Sequence, residues 1–112
     1  MGTPRLNTPL VLEEAERASD GLGGHILIWR PVARVWAEMR NNRGREHAGE
    51  VGARSTTGWR VTVRAARPGD PRRPRPDQRF RMAERLFLIS AVAEADISGR
   101  FLICTAIEED QV

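Results

Sequence analysis

Trp59, Val61 and Val63 alternate along the chain with Arg60, Thr62 and Arg64, the period-two pattern of a strand with one buried face. The next stretch is Arg67-Pro68-Gly69-Asp70-Pro71-Arg72-Arg73-Pro74-Arg75-Pro76. Its four prolines exclude a helix and its four arginines exclude a core position. The chain turns apolar again through Phe80, Met82, Leu86, Leu88 and Ile89. Taken alone, this region predicts two strands joined by a stiff, basic projection.

Upstream, Met1 to Asn7 has little to bury and reads as a loose arm. Residues 10–19 combine helix-favouring Glu13-Glu14-Ala15-Glu16-Arg17 with an abrupt end at Asp20-Gly21-Leu22-Gly23-Gly24. A tight glycine turn between two apolar runs favours a hairpin, with His25-Ile26-Leu27-Ile28-Trp29 opening its second strand. Pro31 interrupts that strand before it resumes as Val32 to Met39. Because proline cannot donate to a ladder, an edge, bend or bulge is predicted there, in a long strand that turns a corner.

Residues 40–54 hold three glycines and only Val51 as a large apolar group, so they read as a long mobile loop, or a loop with a short helical turn around Glu46 to Val51. Glu84 to Ala95 has helical propensity, yet Phe87, Ile89 and Ala91 alternate with Leu88 and Ser90, favouring a strand from Leu86 to Ala93. A turn at Asp96-Ile97-Ser98-Gly99 leads into Arg100 to Ile107, apolar on both faces and therefore central. Glu108-Glu109-Asp110 closes the chain with a solvated acidic tail. Six short strands predict a single all-β domain over residues 1–112, a small antiparallel barrel or sandwich with a long loop between strands two and three. The rival is an α+β domain with Glu84 to Ala95 helical.

The 112-residue length suits one small core. No apolar run approaches the ~20 residues of a membrane span, and the N-terminal residues lack a signal-peptide pattern, so cytosolic synthesis is expected. With aromatics at only 5%, Trp29, Trp36, Trp59, Phe87 and Phe101 are each assigned to the core. Cys104, the single cysteine, lies in an apolar run and reads as a buried structural thiol.

All 18 basic residues are arginine, which in part reflects GC-rich coding. Their placement says more than their number: residues 1–33 carry −1, residues 34–81 carry +8 and residues 82–112 carry −4, for a net +3. A basic middle between acidic ends suits a polyanion, or acid-to-base contact between copies.

Catalytic chemistry is sparse. His25 sits at a strand end and His47 in the loop, neither with a second ligand at metal spacing. Gly21-Leu22-Gly23-Gly24 lacks the Lys-Ser/Thr and the helix of a phosphate loop. Ser55-Thr56-Thr57 has no base in register. No enzyme, metal or cofactor is expected. The one constellation is the arginines, with Arg40, Arg43, Arg45 and Arg54 in one loop and Arg67, Arg72, Arg73 and Arg75 in the other. Guanidinium forks suit phosphate or carboxylate, while the absence of loop aromatics argues against base recognition. These residues allow a free-standing nucleic-acid-binding barrel as well as a structural protein.

The order and spacing of several segments resemble a known family. Leu6 to Glu16, Asp20-Gly21 with Gly23-Gly24, Trp29 and Trp36-Ala37-Glu38 match its first half; Arg60 to Arg64, Asp77-Gln78-Arg79-Phe80-Arg81, Leu86 to Val92, and Gly99-Arg100 with Leu102, Cys104 and Glu108 match its second. The pattern is similar to the head-closure proteins of tailed bacteriophages, also called head–tail adaptor or stopper proteins, which phage-like gene transfer agents share. The resemblance implies a small β-barrel that forms a ring at the head–tail junction. That ring lies between the portal-bound adaptor and the tail or tail terminator, retains packaged double-stranded DNA and offers the tail a docking surface. It also implies that the loop holding Arg40, Arg43, Arg45 and Arg54 projects toward the DNA channel. Arg67, Arg72, Arg73, Arg75, Glu108, Glu109 and Asp110 become candidates for contacts between subunits or with partners, because a closed ring joins unlike patches. Before assembly, a monomer or weak self-association is expected.

Overall fold

The computed structural model describes residues 2–42, 50–51 and 54–109. It is all-β, with the strands β1 (Thr8–Ser19), β2 (His25–Asn41), β3 (Glu50–Val51), β4 (Arg54–Arg64), β5 (Arg79–Met82), β6 (Arg85–Glu94) and β7 (Phe101–Glu109). Every pairing is antiparallel, in the order β2-β1-β5-β6-β7-β4-β3. β2 also pairs with β4, from Ala37↔Val63 to Asn41↔Trp59, so six strands close on themselves and β3 is a short appendage on β4. Closure removes exposed sheet edges from the body.

Inward alternation builds the core. Leu10 and Leu12 of β1, Val35 and Ala37 of β2, Val61 and Val63 of β4, Phe80, Phe87 and Ile89, and Leu102, Cys104 and Ala106 of β7 form one buried cluster. Cys104 is completely buried, and desolvation pushes its thiol up to about 12. The segment at Glu84 to Ala95 is strand throughout its first ten residues from Arg85, so packing overrides its helical propensity.

Several sequence expectations are corrected. β4 and β5 do not form a hairpin. β4 lies between β2 and β7, whereas β5 lies between β1 and β6. The basic segment between them is therefore a crossover along one end of the barrel, not a projection. Pro74 and Gln78 are buried, Arg73 Nη1 donates to the Ala66 carbonyl at 2.8 Å, and Ile89 N donates to the Gln78 carbonyl at 2.9 Å. The loop predicted over residues 40–54 is shorter, because β2 runs to Asn41 and β4 starts at Arg54. Of the helical turn considered there, Glu50–Val51 is strand and residues 46–49 lie outside the described residues.

The proline prediction is matched by a bulge. Leu12 pairs with Ala33 and Glu13 with Pro31, leaving Val32 as the extra residue. A second bulge at Ser90 reverses the alternation of β6: Ile89 is buried, Ala91 is exposed, and Val92 packs on the core. Ala91, which simple alternation placed with Phe87 and Ile89, is thus outward.

Beyond Glu13, β1 pairs only with β2, and β2 pairs only with β1 from His25 to Trp36. Residues 14–30 therefore leave the barrel as a two-stranded ribbon, consistent with overall extents of 52 × 33 × 23 Å. Its turn forms as the glycines predict: Gly21 and Gly23 have φ of 79° and 87°, and Asp20 Oδ1 accepts from the amides of Leu22 and Gly24.

Candidate functional site

The arginine-rich crossover is largely engaged with its own chain. Asp70 accepts from Arg72 through Nε, Nη2 and the backbone amide, and these contacts lower its pKa to about 2. Arg73 is tied to Ala66, and Arg75 pairs with Glu14 at the base of the ribbon. Arg67 is exposed at the start of the segment. This folding back follows from the prolines: they stiffen a turn-rich path that returns from β4 to β5 over the barrel end, bringing the guanidinium groups of Arg72, Arg73 and Arg75 to nearby acceptors.

At the other loop, Arg40 lies on β2, where its Nε donates to Glu38 Oε1 at 3.1 Å. Arg54 begins β4, while Arg43 and Arg45 lie outside the described residues.

The acidic end is also divided. Glu108 is no solvated tail residue: its side chain is 12% exposed and points to the barrel end opposite the crossover. Oε1 accepts from Trp59 Nε1 at 3.0 Å and from Arg85 Nη2 at 2.9 Å, while Oε2 accepts from Arg85 Nε at 2.7 Å. The Arg85 fork, with help from Trp59, holds the carboxyl below its ordinary value despite opposing desolvation. Glu109 is exposed, and Asp110 lies outside the described residues.

Among the proposed core anchors, Phe87 and Phe101 are buried, and Trp59 packs edge-on against Phe87 with ring centroids 5.8 Å apart. Trp36 is corrected: with Val35 and Ala37 facing inward, alternation turns it outward and leaves it 59% exposed. Trp29 lies on the ribbon rather than in the core, half-buried under the Arg79 guanidinium at 4.1 Å.

A cluster missed by the sequence reading lies on the outer wall of β2, β4 and β7. Arg40 is directly opposite Arg60, and Arg64 is opposite Phe101. Arg5 reaches the same wall from the N-terminal arm, where its backbone N–H donates to Glu38 Oε2 at 2.9 Å. Arg100 arrives from the turn before β7, and the wall holds a cleft of about 450 Å³ lined by Arg5, Arg40, Arg60 and Arg100. The polar face of β4 was legible in Arg60 and Arg64. Its convergence with Arg5, Arg40 and Arg100 depends on strand neighbours that no local pattern specifies.

Among the described residues no helix is long and apolar enough to cross a membrane, and no cluster of three or more potential metal ligands occurs.

Comparison with known proteins adds two findings. A family model described as phage head completion protein matches residues 1–109. A chain from the virion of a native gene transfer agent particle is 50% identical and superposes with a TM-score of 0.83, covering 98% of this chain and 100% of that one. Comparison with curated proteins returns no match.

Proposed function

Since this chain belongs to the phage head completion family, we propose that it is a non-enzymatic connector that closes the head of a phage or gene transfer agent particle. It forms a ring between the portal-bound adaptor and the tail or tail terminator, keeps packaged double-stranded DNA from leaving and gives the tail its docking surface. The carrying observation is the near end-to-end match, at 50% identity, to a chain of a gene transfer agent virion.

The fold supports this reading in two ways. A closed barrel leaves few edges for uncontrolled pairing, as suits a subunit whose contacts must be specific. It also presents unlike surfaces, a ribbon with Leu22, Ile26, Leu27 and Ile28 exposed and an arginine-rich wall, of the kind that head-to-tail ring contacts require. In this arrangement Arg40, Arg43, Arg45 and Arg54 approach the channel. Arg67, Arg72, Arg73, Arg75, Glu108, Glu109 and Asp110 are the candidates for subunit and partner contacts, with Arg72, Arg75 and Glu108 exchanging their internal partners if they serve there.

The test is deletion of the gene in a particle-producing strain, followed by electron microscopy and nuclease protection of packaged DNA. Tailless heads that lose DNA are expected. Normal yields of tailed, DNA-filled particles without the protein would refute the connector role.

A further inference from the structure

We propose that the outer wall of β2, β4 and β7, rather than the proline-rich crossover, is the surface that meets the phosphate backbone of double-stranded DNA. The inference rests on the connector reading and assigns its DNA-facing side. Glu109 is exposed at the far end of β7, and the cleft itself sets Arg5, Arg40, Arg60 and Arg100, with Arg64 beside it on β4, against two acids, Glu38 and Asp96. Both acids are already engaged, Glu38 by the Arg5 amide and Arg40, and Asp96 by Ser98. The cationic excess therefore faces solvent.

Two of these guanidinium groups are held in place by the same ring. Arg64 and Arg100 lie 5.6 and 6.0 Å from the centroid of Phe101, which is itself 8% exposed. Stacking restricts these side chains before any anion arrives, so less entropy is lost on binding. Arg60 and Arg64 are four residues apart on β4, a span of about 13 Å at ~3.3 Å per residue. That matches roughly four base-pair steps of rise along the duplex axis.

An acidic protein segment is the competing occupant. Such a segment needs apolar anchors as well as charge, and the aromatic ring beneath this cleft is already covered. Repeated charge without a vacant apolar pocket instead suits a polyanion read through its backbone alone. On the wall Arg40 is bonded to Glu38, whereas in the crossover Arg72, Arg73 and Arg75 are all occupied, by Asp70, Ala66 and Glu14.

The experiment measures binding of the purified chain to a 30-base-pair duplex of arbitrary sequence across a salt series. The wild type is expected to bind at low salt with a steep salt slope. Combined Arg60→Ala, Arg64→Ala and Arg100→Ala should weaken binding at least tenfold and flatten the slope. The corresponding triple lysine variant should retain most of it, and Arg72→Ala should match wild type. The lysine variant also guards against mistaking a lost Phe101 stack for lost charge. Absence of wild-type binding, equal binding by the alanine triple, or binding of an alternating glutamate–leucine peptide in place of DNA would each overturn the assignment. These outcomes are independent of the deletion test, which addresses the connector role alone.

Discussion

Trp36 and Trp59 show how much of a residue's role is set by the direction of its side chain. Both lie in apolar stretches, and on composition alone both belong in the core. Alternation across Val35 and Ala37 sends Trp36 outward, whereas Trp59 closes one barrel end against Phe87 and donates to Glu108. Trp59→Ala is expected to cost about 3 kcal/mol, the lower end for truncating a packed large aromatic. Trp36→Ala should stay within about 0.5 kcal/mol, as exposed substitutions usually do. Urea unfolding of the two variants checks the contrast, and equal losses would contradict this placement. Alternation was legible for Trp59, and for Trp36 the same alternation across Val35 and Ala37 prevails over the general tendency of aromatics to be buried.

At the scale of the element, the ribbon of residues 14–30 differs from the strands of the barrel in having one ladder where they have two. Leu27 is 58% exposed, and Ile26 and Ile28 are exposed beside it. An isolated two-stranded ribbon is marginal in water. Backbone amides at 14–19 and 25–30 should therefore exchange with solvent faster than those of β7, which is bonded to β4 and β6. Hydrogen exchange followed by mass spectrometry on the isolated chain measures this, and equal protection would show the ribbon to be held by contacts beyond its own hairpin. The hairpin itself could be read from Asp20-Gly21-Leu22-Gly23-Gly24. Its departure from the barrel could not, because it results from the shortness of β5, which pairs with β1 only at Val11 to Glu13.

Across the whole molecule, two carboxylates tie together strands that are distant in sequence. Glu13 is only 5% exposed and accepts from Arg79 Nε at 2.7 Å and Arg81 Nε at 2.8 Å, linking β1 to β5. Burial works to raise its pKa, but the Arg81 and Arg79 contacts together outweigh it, and the net shift is downward from 4.5. Glu108 is lowered likewise by Arg85 and Trp59. A carboxyl with a lowered folded pKa adds stability that is present above its unfolded value and lost as pH falls through the folded one. The melting temperature should therefore drop on acidification from about pH 5 to about pH 3. Glu13→Gln should flatten that dependence and cost about 1–2 kcal/mol at neutral pH, since Arg79 and Arg81 keep partial access to water. A mutant with the wild-type pH profile would show that Glu13 does not couple folding to protonation.

The amino-acid order by itself determined the strand segments, the glycine turn, the disruption at Pro31 and the buried thiol at Cys104, since each depends on local alternation or on backbone freedom. Only the tertiary structure decided which strands became neighbours beyond the hairpin at that glycine turn, β1 beside β5, β4 beside β7 and β2 beside β4. Alternation specifies a face but no partner, so β4 and β5 looked like a hairpin until closure of the barrel placed them apart. The same physics hid the arginine wall: its members come from the N-terminal arm, two strands and a turn, and only barrel closure brings their charges together.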